Sequence, residues 1–174
     1  TPCVRAASMT GPAPRPAPRP EVLLKLSPAS LGRELQLAQR ITVVRDGDRK
    51  SFEAQLEVDR ESVRIAAVAM GQTIATLAWD GAKFTHQVST HVPEAITPDR
   101  ILSDVQLAWW PADSIRAALP AGWTLADQGL HRSLAHDGVD VASIDYAGTA
   151  PAWAHVTLSR PGYQLDIESV ELAP

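Results

Sequence analysis

Three observations predict a mainly β (α+β) fold, a curved antiparallel half-barrel of about nine or ten strands with a short helical lid. Apolar residues alternate at period two from residue 33 onward, turn signals separate the alternating runs, and a single helical stretch interrupts them near residue 100. Leu35, Leu37, Ile41 and Val43 open the pattern and stop at Asp46-Gly47-Asp48. Phe52, Ala54, Leu56 and Val58 repeat it as far as Asp59, and Val63, Ile65, Ala67 and Ala69 form a third run before Gly71. Ile74 to Trp79 and the segment around Phe84 follow, separated by Asp80-Gly81, a hairpin signal. Turns this short force antiparallel pairing, because a parallel crossover needs a dozen or more residues.

Thr97-Pro98-Asp99 combines a hydroxyl N-cap, proline at the first helical position and an early acid, which together start a helix. Ile101, Val105 and Trp109 share one stripe of it, placing Trp109 toward the interior and Trp110, a further ~100° around, nearer the rim. Pro111 breaks the helix, and Ile115, Ala118 and Leu119 mark a second, shorter one. Strands then resume: Trp123 with Leu125, Leu130 to Leu134, Val139 to Tyr146, a run around Trp153, Val156 and Leu158, and Tyr163 to Ile167. A sheet of this size with one apolar face must curl to bury it, and a short helical insert suits the open side. The interior is then either packed core or a greasy cavity.

The chain has 174 residues, with 16 Lys and Arg against 20 Asp and Glu for a formal charge of −4. With no basic block, nucleic acid is not an expected partner. No apolar run approaches the ~20 residues that cross a bilayer as a helix. Residues 21–174 are expected to form one domain, which we expect to be monomeric. Residues 1–20 are expected to be a tether, since proline occupies every second position from 12 to 20 and holds that stretch extended. Cys3 is the only cysteine, so no internal disulfide is expected. Ahead of a Pro-rich stretch, Cys3 reads as the acylated residue of a bacterial lipoprotein or as a free thiol. The acylated cysteine could equally precede this sequence, which begins with Thr and not Met.

Catalytic signatures are sparse. Dinucleotide and phosphate-loop glycine patterns and the Gly-x-Ser-x-Gly elbow are missing. His86, His91, His131, His136 and His155 do not fall at metal-ligand spacing, so no metal or other cofactor is expected. His136, Asp137, Asp140 and Asp145 could supply an acid and a base, yet a solvated hairpin explains the same residues. Tryptophan is over-represented, at five against two Phe and two Tyr. Most buried indoles are ordinary core, and the alternative is that the Trp109-Trp110 pair lines a cavity mouth or a membrane-facing edge.

The stretch Ile101 to Pro111 reads Ile-Leu-Ser-Asp-Val-Gln-Leu-Ala-Trp-Trp-Pro. It resembles a family of uncharacterised bacterial lipoproteins that carry a Ser-Asp-x-Gln-Leu-x-x-Trp-Pro motif in mid-chain. The resemblance covers roughly residues 21–172, with motif positions at Asp104, Gln106, Trp109, Trp110 and Pro111 and no established role for any of them. It implies a fold like the lipoprotein-localisation factors LolA and LolB, a lidded half-barrel around an apolar cavity. It also implies an association with aryl polyene or similar lipid-like biosynthesis, and a place in the periplasm, anchored to the outer membrane. The expectation is therefore a carrier or chaperone, not an enzyme, for an acyl, polyene or lipoprotein-lipid cargo. Leu35, Leu37, Phe52, Leu56, Ile65, Leu77, Val105 and Trp109 are the expected cargo-binding residues. A non-catalytic interaction module of an envelope assembly is the alternative, and an enzyme acting on a lipid-like substrate is a third.

Overall fold

The computed structural model describes residues 18–172; the tether and Cys3 expectations for residues 1–17 lie outside this range. Ten strands form one antiparallel sheet: β1 (Leu35–Arg45), β2 (Asp48–Val58), β3 (Val63–Ala69), β4 (Gln72–Trp79), β5 (Phe84–Val88), β6 (Trp123–Asp127), β7 (His131–His136), β8 (Val139–Ala147), β9 (His155–Arg160) and β10 (Tyr163–Glu171). Their spatial order is 5-4-3-2-1-10-9-8-7-6, so two meanders of five strands meet where β1 pairs with β10. The sheet stays open, with β5 and β6 at its two edges. Helices α1 (Pro98–Trp109) and α2 (Ala112–Ala118) lie in the connection between those edges. The chain therefore leaves one edge and re-enters at the other by way of the lid.

Local chemistry accounts for these elements. The hairpin tips Asp46-Gly47 and Asp137-Gly138 have φ of 50° and 84°, and 48° and 80°, the signs a type I′ turn requires. At the start of α1, Thr97 Oγ1 accepts from the Arg100 backbone N–H at 3.3 Å, with Pro98 at the first helical position. Trp153, expected on a strand, lies in the turn before β9 and stacks on Tyr146 with ring centroids 4.9 Å apart.

Side chains on the concave face form cross-strand rows, one level above another. Leu35, Val58, Val63 and Trp79 are register partners across β1 to β4, and Leu37, Leu56, Ile65 and Leu77 make the next row. Gln39, Ala54, Ala67 and Ala75 follow, and the remaining inward positions include the pairs Ile41–Phe52 and Val43–Lys50. The first two rows are closed off by a segment that the strand and helix patterns do not mark. Residues 21–31, ending in a 3-10 turn (Pro28–Leu31), run under the lid as a strap that buries Leu24, Leu26 and Leu31.

Candidate functional site

The motif on α1 fastens the lid. Ser103 Oγ accepts from the Leu24 N–H at 3.0 Å. Gln106 takes both polar groups of Leu26: Oε1 accepts from its N–H at 2.8 Å, and Nε2 donates to its carbonyl at 3.0 Å. The Trp79 indole N–H donates to the same carbonyl at 2.8 Å. Past the helix, the Trp110 indole N–H donates to Ser30 Oγ at 2.9 Å. Arg100 with Glu21 and Lys25 with Asp99 add ion pairs at the margin of the strap.

Asp104 faces the opposite way, toward the second meander. Its Oδ1 accepts from Arg160 Nε at 2.7 Å and pairs with Nη2 at 2.6 Å, and its Oδ2 accepts from the Tyr163 hydroxyl at 2.6 Å. Both charged side chains are nearly buried, at 5% exposure for Arg160 and 6% for Asp104. Burial pushes the Asp104 carboxyl above its ordinary value, outweighing the guanidinium and the hydroxyl that pull it down. Burial alone would lower Arg160, but the carboxylate opposite leaves it raised, so the guanidinium stays charged. Burial also raises Tyr163.

The far end of α1 would leave backbone carbonyls without partners. Arg132 Nη1 donates to Leu107 O at 2.7 Å and Trp110 O at 2.9 Å, and the Tyr146 hydroxyl donates to Ala108 O at 2.6 Å. Burial pushes the Tyr146 hydroxyl up to about 12, which keeps it a donor. Arg132 is itself paired with Asp127 at 2.8 Å, and its positive charge suits a helix C-terminus.

Between the lid and the sheet lies an apolar cavity of about 380 Å³. Its walls come from β1 to β4, β9, β10, α1 and the loop carrying Val92, Pro93 and Ile96. Small side chains account for the void. Ala54, Ala67 and Ala75 sit side by side across three strands, where larger residues would reach the lid. The cavity reaches the surface near Lys50, Met70 and His91.

Of the expected cargo-binding residues, Phe52, Ile65, Leu77, Val105 and Trp109 line this cavity. Leu35, Leu37 and Leu56 do not: each is at most 1% exposed, in the rows that the strap covers. They lie outside the lining of this cavity, because period two identifies the inward face without showing how close the lid comes to it. Trp110, expected nearer the rim, requires a correction. It is 0% exposed and fully packed, because the helix ends at Trp109 and Trp110 has extended backbone, with φ of −73° and ψ of 151°. Helical geometry no longer sets its direction. Pro111 follows as the N-cap of α2, without a side-chain cap hydrogen bond.

The polar residues weighed as an acid and base stay apart from the cavity. His136 Nδ1 lies 3.5 Å from Asp137 Oδ2, and Asp145 pairs with His131 at 2.7 Å, all of them outside the cavity lining along with Asp140. Among the described residues, no group of three or more His, Cys, Asp or Glu is placed to hold a metal ion.

An open, curved antiparallel sheet, lidded by two short helices over an apolar cavity, is the class of protein that fold and site define. The chain belongs to the family described as "Protein of unknown function (DUF3261)", whose pattern matches residues 36–171. No curated protein matches it. Among solved structures, a DUF1329 family protein from Desulfovibrio piger is similar at 9% identity and a TM-score of 0.35, covering 82% of this chain and 87% of that one.

Proposed function

We propose that this protein is a non-catalytic carrier or chaperone for a hydrophobic cargo, an acyl or aryl polyene lipid or a lipoprotein lipid, in the bacterial periplasm. The observation that carries this reading is the cavity: about 380 Å³, within the ~300–1,000 Å³ typical of ligand sites, and walled mostly by apolar side chains that face one another across empty space. Anchoring at the outer membrane through an acylated cysteine, Cys3 or one upstream, is part of the proposal and rests on the sequence alone.

The test uses the neutral, environment-sensitive dye N-phenyl-1-naphthylamine. The wild-type protein should bind it saturably, with a fluorescence rise that long-chain lipids reverse. Ala67→Phe fills the middle of the cavity from a buried strand position, and should abolish binding while the melt remains cooperative. A wild-type protein that gives no saturable signal, or an Ala67→Phe variant that binds as well as wild type, removes the carrier reading.

A further inference from the structure

We propose that the cargo is a single-chain amphiphile with an anionic head, and that Lys50 at the cavity mouth recognises that head. The inference rests on the carrier reading and adds to it the polarity and the size of the ligand. On β2, Lys50 continues the inward alternation of Phe52, Ala54, Leu56 and Val58, at the point where that alternation passes from apolar residues to Lys50 and Asp48. Its register partner is Val43, and both line the cavity. Lys50 also lines the adjoining surface hollow with Arg45, Asp48, His91 and Glu94, so it stands where apolar wall gives way to solvent. A lysine in that place lays its methylenes along the wall and keeps its ammonium at the water boundary.

Two neighbouring cations are already paired. Arg45 pairs with Asp46 at 3.4 Å and Arg49 with Asp166 at 3.6 Å. Among the described residues, Lys50 has no carboxylate within 4.0 Å, although Asp48 and Glu94 line the same hollow. Beside a low-dielectric wall, an unpaired ammonium attracts an anion more strongly than it does in open water. The volume sets the other limit. At about 380 Å³ the cavity lies at the small end of the ~300–1,000 Å³ range of ligand sites, which suits a single-chain ligand better than a diacyl or triacyl lipid.

Displacement of N-phenyl-1-naphthylamine by laurate, dodecyl phosphate and dodecanol tests this on the full chain at low ionic strength. Laurate or dodecyl phosphate should compete roughly three- to fivefold better than dodecanol, the scale of a partly exposed ion pair, and added salt should shrink the gap. Whichever anion gains more identifies the head as carboxylate or phosphate. Lys50→Met should erase the preference without changing dodecanol or dye binding, and Lys50→Glu should reverse it. Dye binding with no anion preference, or a preference that survives in Lys50→Met, overturns the inference and leaves the carrier reading standing. Failure of the dye itself to bind overturns both.

Discussion

The carboxamide of Gln106 and the backbone of Leu26 form a closed pair, with Oε1 and Nε2 each within 3.0 Å of one of the two peptide groups of a single residue. A motif glutamine on the lid thus does for an irregular strap what a neighbouring strand would do. It supplies one donor and one acceptor in register to a segment that has no ladder of its own.

Replacing Gln106 by Leu keeps the volume and leaves the Leu26 N–H buried without its acceptor. The Leu26 carbonyl keeps the Trp79 indole N–H, so one buried group is left unpaired and the loss should be ~1–3 kcal/mol. Urea denaturation should show a midpoint shift of that size at unchanged slope. A shift below 0.5 kcal/mol, on the order of an exposed substitution, would mean that the strap holds without this clamp.

The two adjacent tryptophans should respond in opposite ways to losing the indole N–H. Trp109 Nε1 is buried without a partner, whereas Trp110 Nε1 donates to Ser30. Trp109→Phe should therefore be nearly neutral apart from lost ring volume, and Trp110→Phe should cost ~1–3 kcal/mol more than volume predicts. Thermal melts of the two variants, with the Ala replacements as a packing reference, separate these effects.

Removing one member of the Asp104–Arg160 pair should cost more than removing both. Asp104→Asn strands a buried guanidinium and should lose about 3–5 kcal/mol, while Asp104→Leu with Arg160→Met should recover most of that loss. Equal destabilisation by the single and double variants would show that the pair itself, and not the stranded charge, contributes the stability.

Acid titration should separate Asp59 from Asp104. Asp59 accepts the backbone N–H groups of Glu61 and Ser62, and these contacts hold its carboxyl below the ordinary range. The unfolded chain then binds the proton more readily. The contribution of Asp59 is complete above ~4 and disappears as the pH falls through its folded value. Asp104 is raised, so its sign is opposite: its linkage term favours the folded state at low pH and fades as the pH rises through its folded value. Asp59→Asn should therefore flatten the decline of Tm between roughly pH 5 and 3, and Asp104→Asn should not.

The strand count, the hairpin tips and the start of α1 were legible in the sequence because each depends on residues close together in the chain. Period two needs only a few residues to show itself, and Thr97-Pro98 is a self-contained start signal. The strap was not legible. Leu24 and Leu26 find their partners some 80 positions away, and residues 21–31 show neither period. The cavity was half legible. Alternation pointed to Phe52, Ile65 and Leu77, but the alanines that create the space looked like weak members of the same strands, because only register reveals that Ala54, Ala67 and Ala75 are neighbours. Trp110 misled for the reason its backbone shows: a helical wheel stops applying one residue past the helix.

The pairing of β1 with β10 also sets an order of events. Gln39 and Ser169, 130 positions apart, meet across that seam. Each five-stranded meander can assemble from contacts between neighbouring strands, but the wall that joins them needs a strand from each end of the domain. Until β10 has emerged, the first meander carries an unpaired edge and an uncovered greasy face, the combination that invites aggregation. A nascent chain of this design is most vulnerable until β10 has been made, and truncation within β10 should leave an insoluble product instead of a smaller soluble one.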